Sequence, residues 1–201
     1  MRTPGGSGPS RSRRRFGGGA RARTVEEPGS VSAARNRAVG LLARRDYPSR
    51  ALKGRLTEAG FEVPAAEAAV TELEDERLVN DARYVESAVA SRTSRGQGPT
   101  RIAVELRRMG VSPELIAQAI DARSPDWVER AQALRRRRFG PAAPDGRAEQ
   151  NRQTRFLLYR GFTGAQVRAA LSRAGTALDE DLAVALDEDA SDADADGGEG
   201  D

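Results

Sequence analysis

The sequence predicts an all-α protein: three tandem three-helix, helix-turn-helix-like repeats that form an elongated curved body between disordered termini. Three observations predict this. Apolar residues between Ala33 and Ala174 recur at helical spacing, with Gly and Pro at the joints. No alternating, β-branched stretch of strand length interrupts them. A Gly–apolar pair also returns at Gly60-Phe61, Gly110-Val111 and Gly161-Phe162, each time between a second and a third helix.

Nine helices follow in order. The first runs from about Ala33 to Arg45 on Ala38, Leu41 and Leu42. The second is capped by Ser49, carries Leu52 and Leu56, and stops at Gly60. The third has Pro64 in its first turn and runs to Arg77 on Ala66, Ala69, Val70 and Leu73. Asn80 and Asp81 offer a cap to the fourth, whose stripe is Tyr84, Val85, Ala88 and Val89. The fifth carries Ile102, Leu106 and Met109 as far as Gly110. Ser112 caps the sixth, where Leu115, Ile116, Ala119 and Ile120 form the face. Ser124 and Pro125 open the seventh, which carries Trp127, Val128, Ala131 and Leu134. Phe156, Leu157 and Tyr159 lead the eighth to Gly161, and Val167, Ala170 and Leu171 mark the ninth.

The repeat has a physical cause. A glycine just past a helix end supplies the left-handed residue that closes it, and the apolar residue after it packs into the corner. Leu56, Leu106 and Leu157 stand four residues before the three glycines, and Val70, Ile120 and Leu171 ten beyond. Ile116 and Val167 stand six beyond the second and third, where the first has only Ala66. Each unit is too small for a self-sufficient core, so neighbours are expected to share buried surface. The expected organisation is a basic arm (1–32), three modules (33–78, 79–123, 124–175) and an acidic tail (176–201).

Composition narrows the function. The chain has 201 residues, 31% of them charged and 4% aromatic, with no cysteine and no histidine. Disulfides, thiol nucleophiles and Cys/His zinc sites are therefore excluded, as is the side chain best suited to proton transfer near neutral pH. The nearest carboxylates to a catalytic set, Asp75-Glu76 and Asp81, read as helix-end residues, so the chain is expected not to be an enzyme and to need no cofactor or metal. No run is long and apolar enough to span a bilayer, and the arginine-rich start lacks an apolar signal segment. A cytoplasmic monomer is the expectation.

Charge is laid out unevenly along the chain. Met1–Thr24 holds seven arginines and no acid, and Asp179–Asp201 holds eleven acids and no base. Residues 28–178 keep 26 basic side chains against 17 acidic ones. A basic body favours nucleic acid or an acidic protein as partner.

Four segments carry a family likeness. They are Leu78-Val-Asn-Asp81-Ala-Arg83-Tyr84-Val85; Ser91-Arg92 with Gly96-Gln-Gly98-Pro99-Thr-Arg101-Ile102, Glu105-Leu106 and Gly110-Val111; Arg137-Arg138-Phe139-Gly140; and Arg155-Phe156-Leu157-Leu158-Tyr159-Arg160-Gly161-Phe162. In this order and spacing they resemble the RecX family of recombination regulators. The likeness covers Ala33 to about Ala174 and neither terminus. It implies a bacterial protein of three three-helix modules that binds the RecA recombinase filament on single-stranded DNA. Family members usually dampen filament growth, ATP hydrolysis, strand exchange and coprotease action in DNA repair and the SOS response. The protein itself would use no nucleotide, and Gly96-Gln-Gly98 is indeed too short for a phosphate loop and lacks its lysine.

An elongated basic protein of this kind could lie in the filament groove and touch both protein and phosphate. The candidate contacts are Arg95, Arg101, Arg107 and Arg108 around the central signature, Arg155 and Arg160 in the last module, and the run Arg135, Arg136, Arg137 and Arg138. Four successive arginines cover every face of a helical turn, so at least one can pair internally, for example with Glu129 or Asp126. Tyr159, beside Arg160, could stack on a base, although core packing ranks ahead of that. Phe156, Leu157, Trp127 and Ile102 read as core. The alternative function is a helix-turn-helix regulator that reads duplex DNA. It ranks second because the third helix of each unit is rich in Ala and the first two hold little Arg, which is poor chemistry for base edges.

Overall fold

The computed structural model describes residues 26–123 and 126–172. Most of the expected basic arm, the acidic tail and the Ser124–Pro125 cap lie outside the described residues. Among those described there are nine helices and no strand: α1 (Val31–Leu42), α2 (Ser49–Glu58), α3 (Val63–Asp75), α4 (Asp81–Ser94), α5 (Pro99–Arg108), α6 (Pro113–Asp121), α7 (Trp127–Phe139), α8 (Gly146–Tyr159) and α9 (Gly164–Ser172). They form three modules, and in each the first and third helices pack most closely together.

Local chemistry sets the helix ends. Ser30 accepts the Ala33 amide at 3.2 Å, so α1 begins two residues ahead of the sequence expectation. Asn80 caps α4 through the Arg83 amide, and Ser112 caps α6 through Leu115. Thr163 and Gln166 cap α9 reciprocally: each side-chain oxygen accepts the other's amide, a capping box. Ser49 departs from its expected role. Pro48 occupies the cap position, and Ser49 is the first helical residue. Its amide and hydroxyl donate to the Asp81 carboxylate at 2.7 and 2.9 Å, so the start of α2 is closed by a side chain from the next module.

The three repeat glycines adopt positive φ, at 104° for Gly60, 81° for Gly110 and 88° for Gly161. Phe61, Val111 and Phe162 after them are buried, as are Leu56, Leu106 and Leu157 before them. Val70 and Leu171 are buried too, whereas Ile120 is only half-buried. The shared-core expectation holds for two modules out of three. Val85, Val89, Ile102, Leu106, Ile116, Trp127, Leu157, Phe162, Val167 and Leu171 belong to one continuous cluster running through modules 2 and 3. Module 1 closes a separate cluster of its own around Leu52, Leu56, Phe61, Val70 and Leu73.

The joint between modules 2 and 3 is made of backbone. The Gly98 amide donates to the Arg160 carbonyl at 2.7 Å, and the Thr100 amide to the Gly161 carbonyl at 3.0 Å. Orphan donors at the start of α5 thus meet orphan acceptors at the end of α8, so two helix termini satisfy each other. The approach leaves no room for a side chain: a Cβ on Gly98 would collide with the Gly161 carbonyl and the Phe162 amide. The Trp127 indole adds a bond to the Ile120 carbonyl at 3.2 Å across the same boundary. Gly98 has an ordinary φ of −86°, so its requirement for glycine is purely steric. Gly98→Ala should therefore cost about 2–3 kcal/mol by overpacking alone. Chemical denaturation with Trp127 fluorescence as probe checks this, and an unchanged midpoint would contradict the joint.

Candidate partner-binding surface

The start of the α5–α8 joint places the candidate side chains. Ile102 and Leu106 turn α5 inward, so Arg101, Glu105 and Arg108, at spacings of four and three, share an outer stripe. Glu105 is the hub of that stripe. It accepts from Arg92 Nε at 2.9 Å, Gln97 Nε2 at 3.2 Å and Arg101 Nε at 3.3 Å. The Arg92 hydrogen bond holds its carboxyl below the usual range, against the opposing pull of burial, and Arg101 adds to the depression. Arg92 ties α4 to α5, a role that sequence reading had not assigned to it.

Arg101 therefore has a double engagement. Its Nε serves Glu105, and its guanidinium carbon lies 5.7 Å from the centre of the Tyr159 ring. Tyr159 is 77% exposed. That overturns the ranking of core packing for this residue. On α8 the buried position is Leu157, and Tyr159, two residues on, is turned outward. An exposed ring from module 3 thus sits at the seam of modules 2 and 3, beside a guanidinium from module 2.

A second aromatic feature lies on α7 and α8. Phe139 and Phe156 meet edge to face at 5.3 Å. Arg138 and Arg152 stand over Phe139 at 5.6 and 5.2 Å, and Arg160 over Phe156 at 5.3 Å. Phe156 is only partly buried, so it forms the edge of the core rather than its interior. Arg152 was not among the sequence candidates. Its signal was there to read, because Arg152, Phe156 and Arg160 recur every four residues on one helix face.

The run of four arginines divides. Arg136, Arg137 and Arg138 are exposed, while Arg135 is completely buried. Its partner is neither Glu129 nor Asp126, since Asp126 pairs with Arg130 at 3.4 Å. Arg135 Nε donates to Gln153 Oε1 at 2.8 Å and its Nη2 to the Ala142 carbonyl. Burial pulls its pKa below the ordinary arginine value, with Arg136 adding to the effect and Glu149 partly opposing it. Arg135 therefore leaves the set of surface contacts and becomes a strut under the α7–α8 loop. Arg95, Arg107, Arg108, Arg136, Arg137 and Arg155 are exposed and make no ion pair with another described residue. Among the described residues no group of three His, Cys, Asp or Glu side chains could hold a metal ion, and no helix is long and apolar enough to cross a membrane.

Comparison with known proteins places the chain in a family. Models of the first, second and third three-helix domains of RecX match residues 34–73, 80–120 and 125–171. The chain belongs to the RecX family. A regulatory protein RecX from Halorhodospira halophila is 42% identical over 158 residues, covering 78% of this chain and 96% of that protein. The RecX of Stenotrophomonas maltophilia strain R551-3 is 40% identical over 134 residues, covering 67% and 82%. The crystal structure of RecX from Lactobacillus salivarius shares the fold with a TM-score of 0.65 at 21% identity, covering 72% of this chain and 96% of that one. These relatives are named regulatory proteins, so a RecX regulatory role carries to this chain.

Two stability predictions separate structural charges from free ones. Arg135→Ala leaves a cavity and strands the Gln153 and Ala142 oxygens, and should cost about 3 kcal/mol. Alanine at Arg136, Arg137 or Arg138 should stay within about 0.5 kcal/mol of the parent. Denaturant midpoints decide between them, and equal effects at all four positions would contradict the buried placement. Glu105 supplies a pH test. Its pKa is lower folded than unfolded, so its contribution is complete above the unfolded value and is lost as pH falls through the folded one, below about pH 4.3. Glu105→Gln should be less stable than the parent at pH 7, and the difference should shrink as pH falls below about 4.3. Parallel unfolding curves at pH 7 and pH 3 would rule out this coupling.

Proposed function

We propose that the chain is a non-catalytic, cytoplasmic regulator that binds the RecA recombinase filament on single-stranded DNA and restrains it. Its main contact is the basic face of modules 2 and 3. The observation that carries this reading is the juxtaposition at the seam. Tyr159 is 77% exposed, it has Arg101 above its ring, and the unpaired Arg107 and Arg108 stand at the far end of the same short helix. Exposed tyrosine and arginine are the side chains most enriched where binding energy concentrates, because each buries a large rigid surface and still offers hydrogen bonds.

A nucleoprotein filament offers both chemistries this face can meet. Carboxylates on protein and phosphates on DNA each match the planar guanidinium fork. Arg136, Arg137, Arg138 and Arg155 extend the unpaired charge into module 3, and Arg95 supplies it near the α4–α5 turn. Arg160, held over Phe156, adds a guanidinium whose orientation is already fixed. Modules 2 and 3 share one core, so this face is presented by a single packed body and loses little order on binding.

The test is a titration of the protein into preformed RecA filaments, following ATP hydrolysis and strand exchange, with a bare-DNA control at the same salt. Substoichiometric protein should suppress both activities. Arg107→Ala with Arg108→Ala, and separately Tyr159→Ala, should each weaken suppression roughly tenfold, the equivalent of about 1.4 kcal/mol. Filaments that remain fully active, together with tight binding of a specific duplex, would replace this reading with that of a helix-turn-helix regulator.

A further inference from the structure

Module 1 has a cluster of guanidinium groups that the seam between modules 2 and 3 does not use. An open groove of about 300 Å³ between α1 and α2 is lined by Arg37, Leu41, Arg45 and Tyr47, and opposite them by Arg55, Glu58 and Ala59. Arg37, Leu41 and Arg45 recur every four residues along α1 and the turn after it, which brings them to one side. Three bases and one acid line the groove. That acid is already taken, since Glu58 pairs with Arg55 at 2.9 Å.

The other two guanidiniums have no carboxylate partner among the described residues. Arg37 is exposed and makes no ion pair with a described residue. Arg45 lies over the Tyr47 ring, with its guanidinium carbon 4.5 Å from the ring centre, and no described acceptor takes its side-chain N–H groups. Stacking therefore fixes the plane of the fork and leaves its donors unused. A guanidinium oriented in this way loses little rotamer freedom when it meets an anion. Between the charges, half-buried Leu41 and Ala59 give the groove an apolar floor.

Two unspent forks beside an apolar floor fit a repeating ligand whose anionic groups alternate with flat apolar ones. A carboxylate-rich peptide has the charges without the flat faces. Single-stranded nucleic acid has both, and binders of single strands combine a positive groove with surfaces that receive bases. A groove of this volume suits one nucleotide step and is too small for a duplex.

We propose that the α1–α2 groove of module 1 binds the backbone of single-stranded nucleic acid. Arg37 and Arg45 each hold a phosphate, and Leu41 and Ala59 receive a sugar or base face. This site is separate from the face on modules 2 and 3 and requires no recombinase, so it is tested on bare strands.

The experiment measures anisotropy of fluorescein-labelled oligo-dT against the full chain across a salt series. Arg37→Gln with Arg45→Gln should weaken binding about tenfold and make the log–log salt slope shallower by about 1.4, the value for two single-strand phosphates. The charge-matched pair Arg44→Gln with Arg83→Gln, which does not line the groove, should change affinity less than about twofold. Amide shifts of the parent chain on adding oligo-dT should include Tyr47 and Ala59, a readout that does not depend on any variant folding. Equal losses in the two double variants, or shifts confined to modules 2 and 3, overturn the site. Displacement of the strand by poly-glutamate at equal charge also overturns it, in favour of a protein carboxylate. Restraint of RecA filaments is scored separately. A chain that restrains them but passes none of these tests loses only the groove.

Discussion

The constraint that sets how modules 2 and 3 fit together is the contact of the α5 start with the α8 end. Gly98 and Thr100 donate backbone amides to the Arg160 and Gly161 carbonyls, and nothing larger than a hydrogen fits at Gly98. Once these termini are joined, the corner residues Phe162 and Ile102 lie in the same buried cluster, and modules 2 and 3 become one body. The joint also decides the chemistry of the surface. Arg101 stands three residues from Gly98, and Tyr159 two residues before Gly161, so the guanidinium and the ring must come together where the helices meet. The exposed pairing of ring and guanidinium at this seam follows directly from a backbone contact.

The junction of modules 1 and 2 repeats the plan with different materials. The start of α2 again faces a glycine turn, with Arg50 lying against Gly110, but side chains make the contact. The Asp81 carboxylate closes the first turn of α2 in place of a neighbour's carbonyls. Among the described residues the two apolar clusters stay separate, and Val79, in the turn before α4, is the one buried residue of 79–123 that joins the cluster of module 1. A junction of hydrogen bonds without a shared core is the weaker of the two, since net hydrogen-bond stabilisation is small beside apolar burial. The fold is better described as one module joined to a pair than as three equal units.

Much of this was readable in the sequence, and the reasons differ by element. The glycines that end α2, α5 and α8 were readable because a left-handed residue leaves a compositional mark. Ser30, Asn80 and Ser112 act on amides three residues away, so caps of that kind are local, yet Ser30 went unread although apolar Val31 follows it at the helix start. The long-range choices were not readable. Ser49 looks like a cap by local rules, and only the fold brings Asp81 to it across 32 residues. Arg135 and its three neighbours are chemically identical, and which one turns inward depends on the phase of α7 against α8, where Gln153 waits. Tyr159 failed for the same reason: a stripe of Phe156, Leu157 and Tyr159 does not reveal where the core ends. Sequence periodicity identifies a face, and only the partner helix sets its angular limits.

The accounting of arginines gives the architecture its bearing on function. Arg92 and Arg101 serve Glu105, Arg135 serves Gln153, and Arg35 meets Glu72 and Glu76 across module 1. The Arg92, Arg35 and Arg135 contacts hold neighbouring helices together. Exposed arginines with no ion pair to a described residue fall on both bodies linked by the weaker junction: Arg37, Arg44, Arg45, Arg50 and Arg77 on module 1, and Arg95, Arg107, Arg108, Arg136, Arg137 and Arg155 on modules 2 and 3. The two proposed surfaces, on linked bodies, would bind an extended polyanion more tightly than either alone, because the second contact forms at high effective concentration. The geometry of the link then matters as much as the charges. A rigid junction suits one spacing of sites, whereas a junction built from side-chain hydrogen bonds can adjust to a range of spacings at small cost. In the proposed function the backbone joint inside modules 2 and 3 would present a fixed face, and the side-chain junction before them would fit it to a long partner.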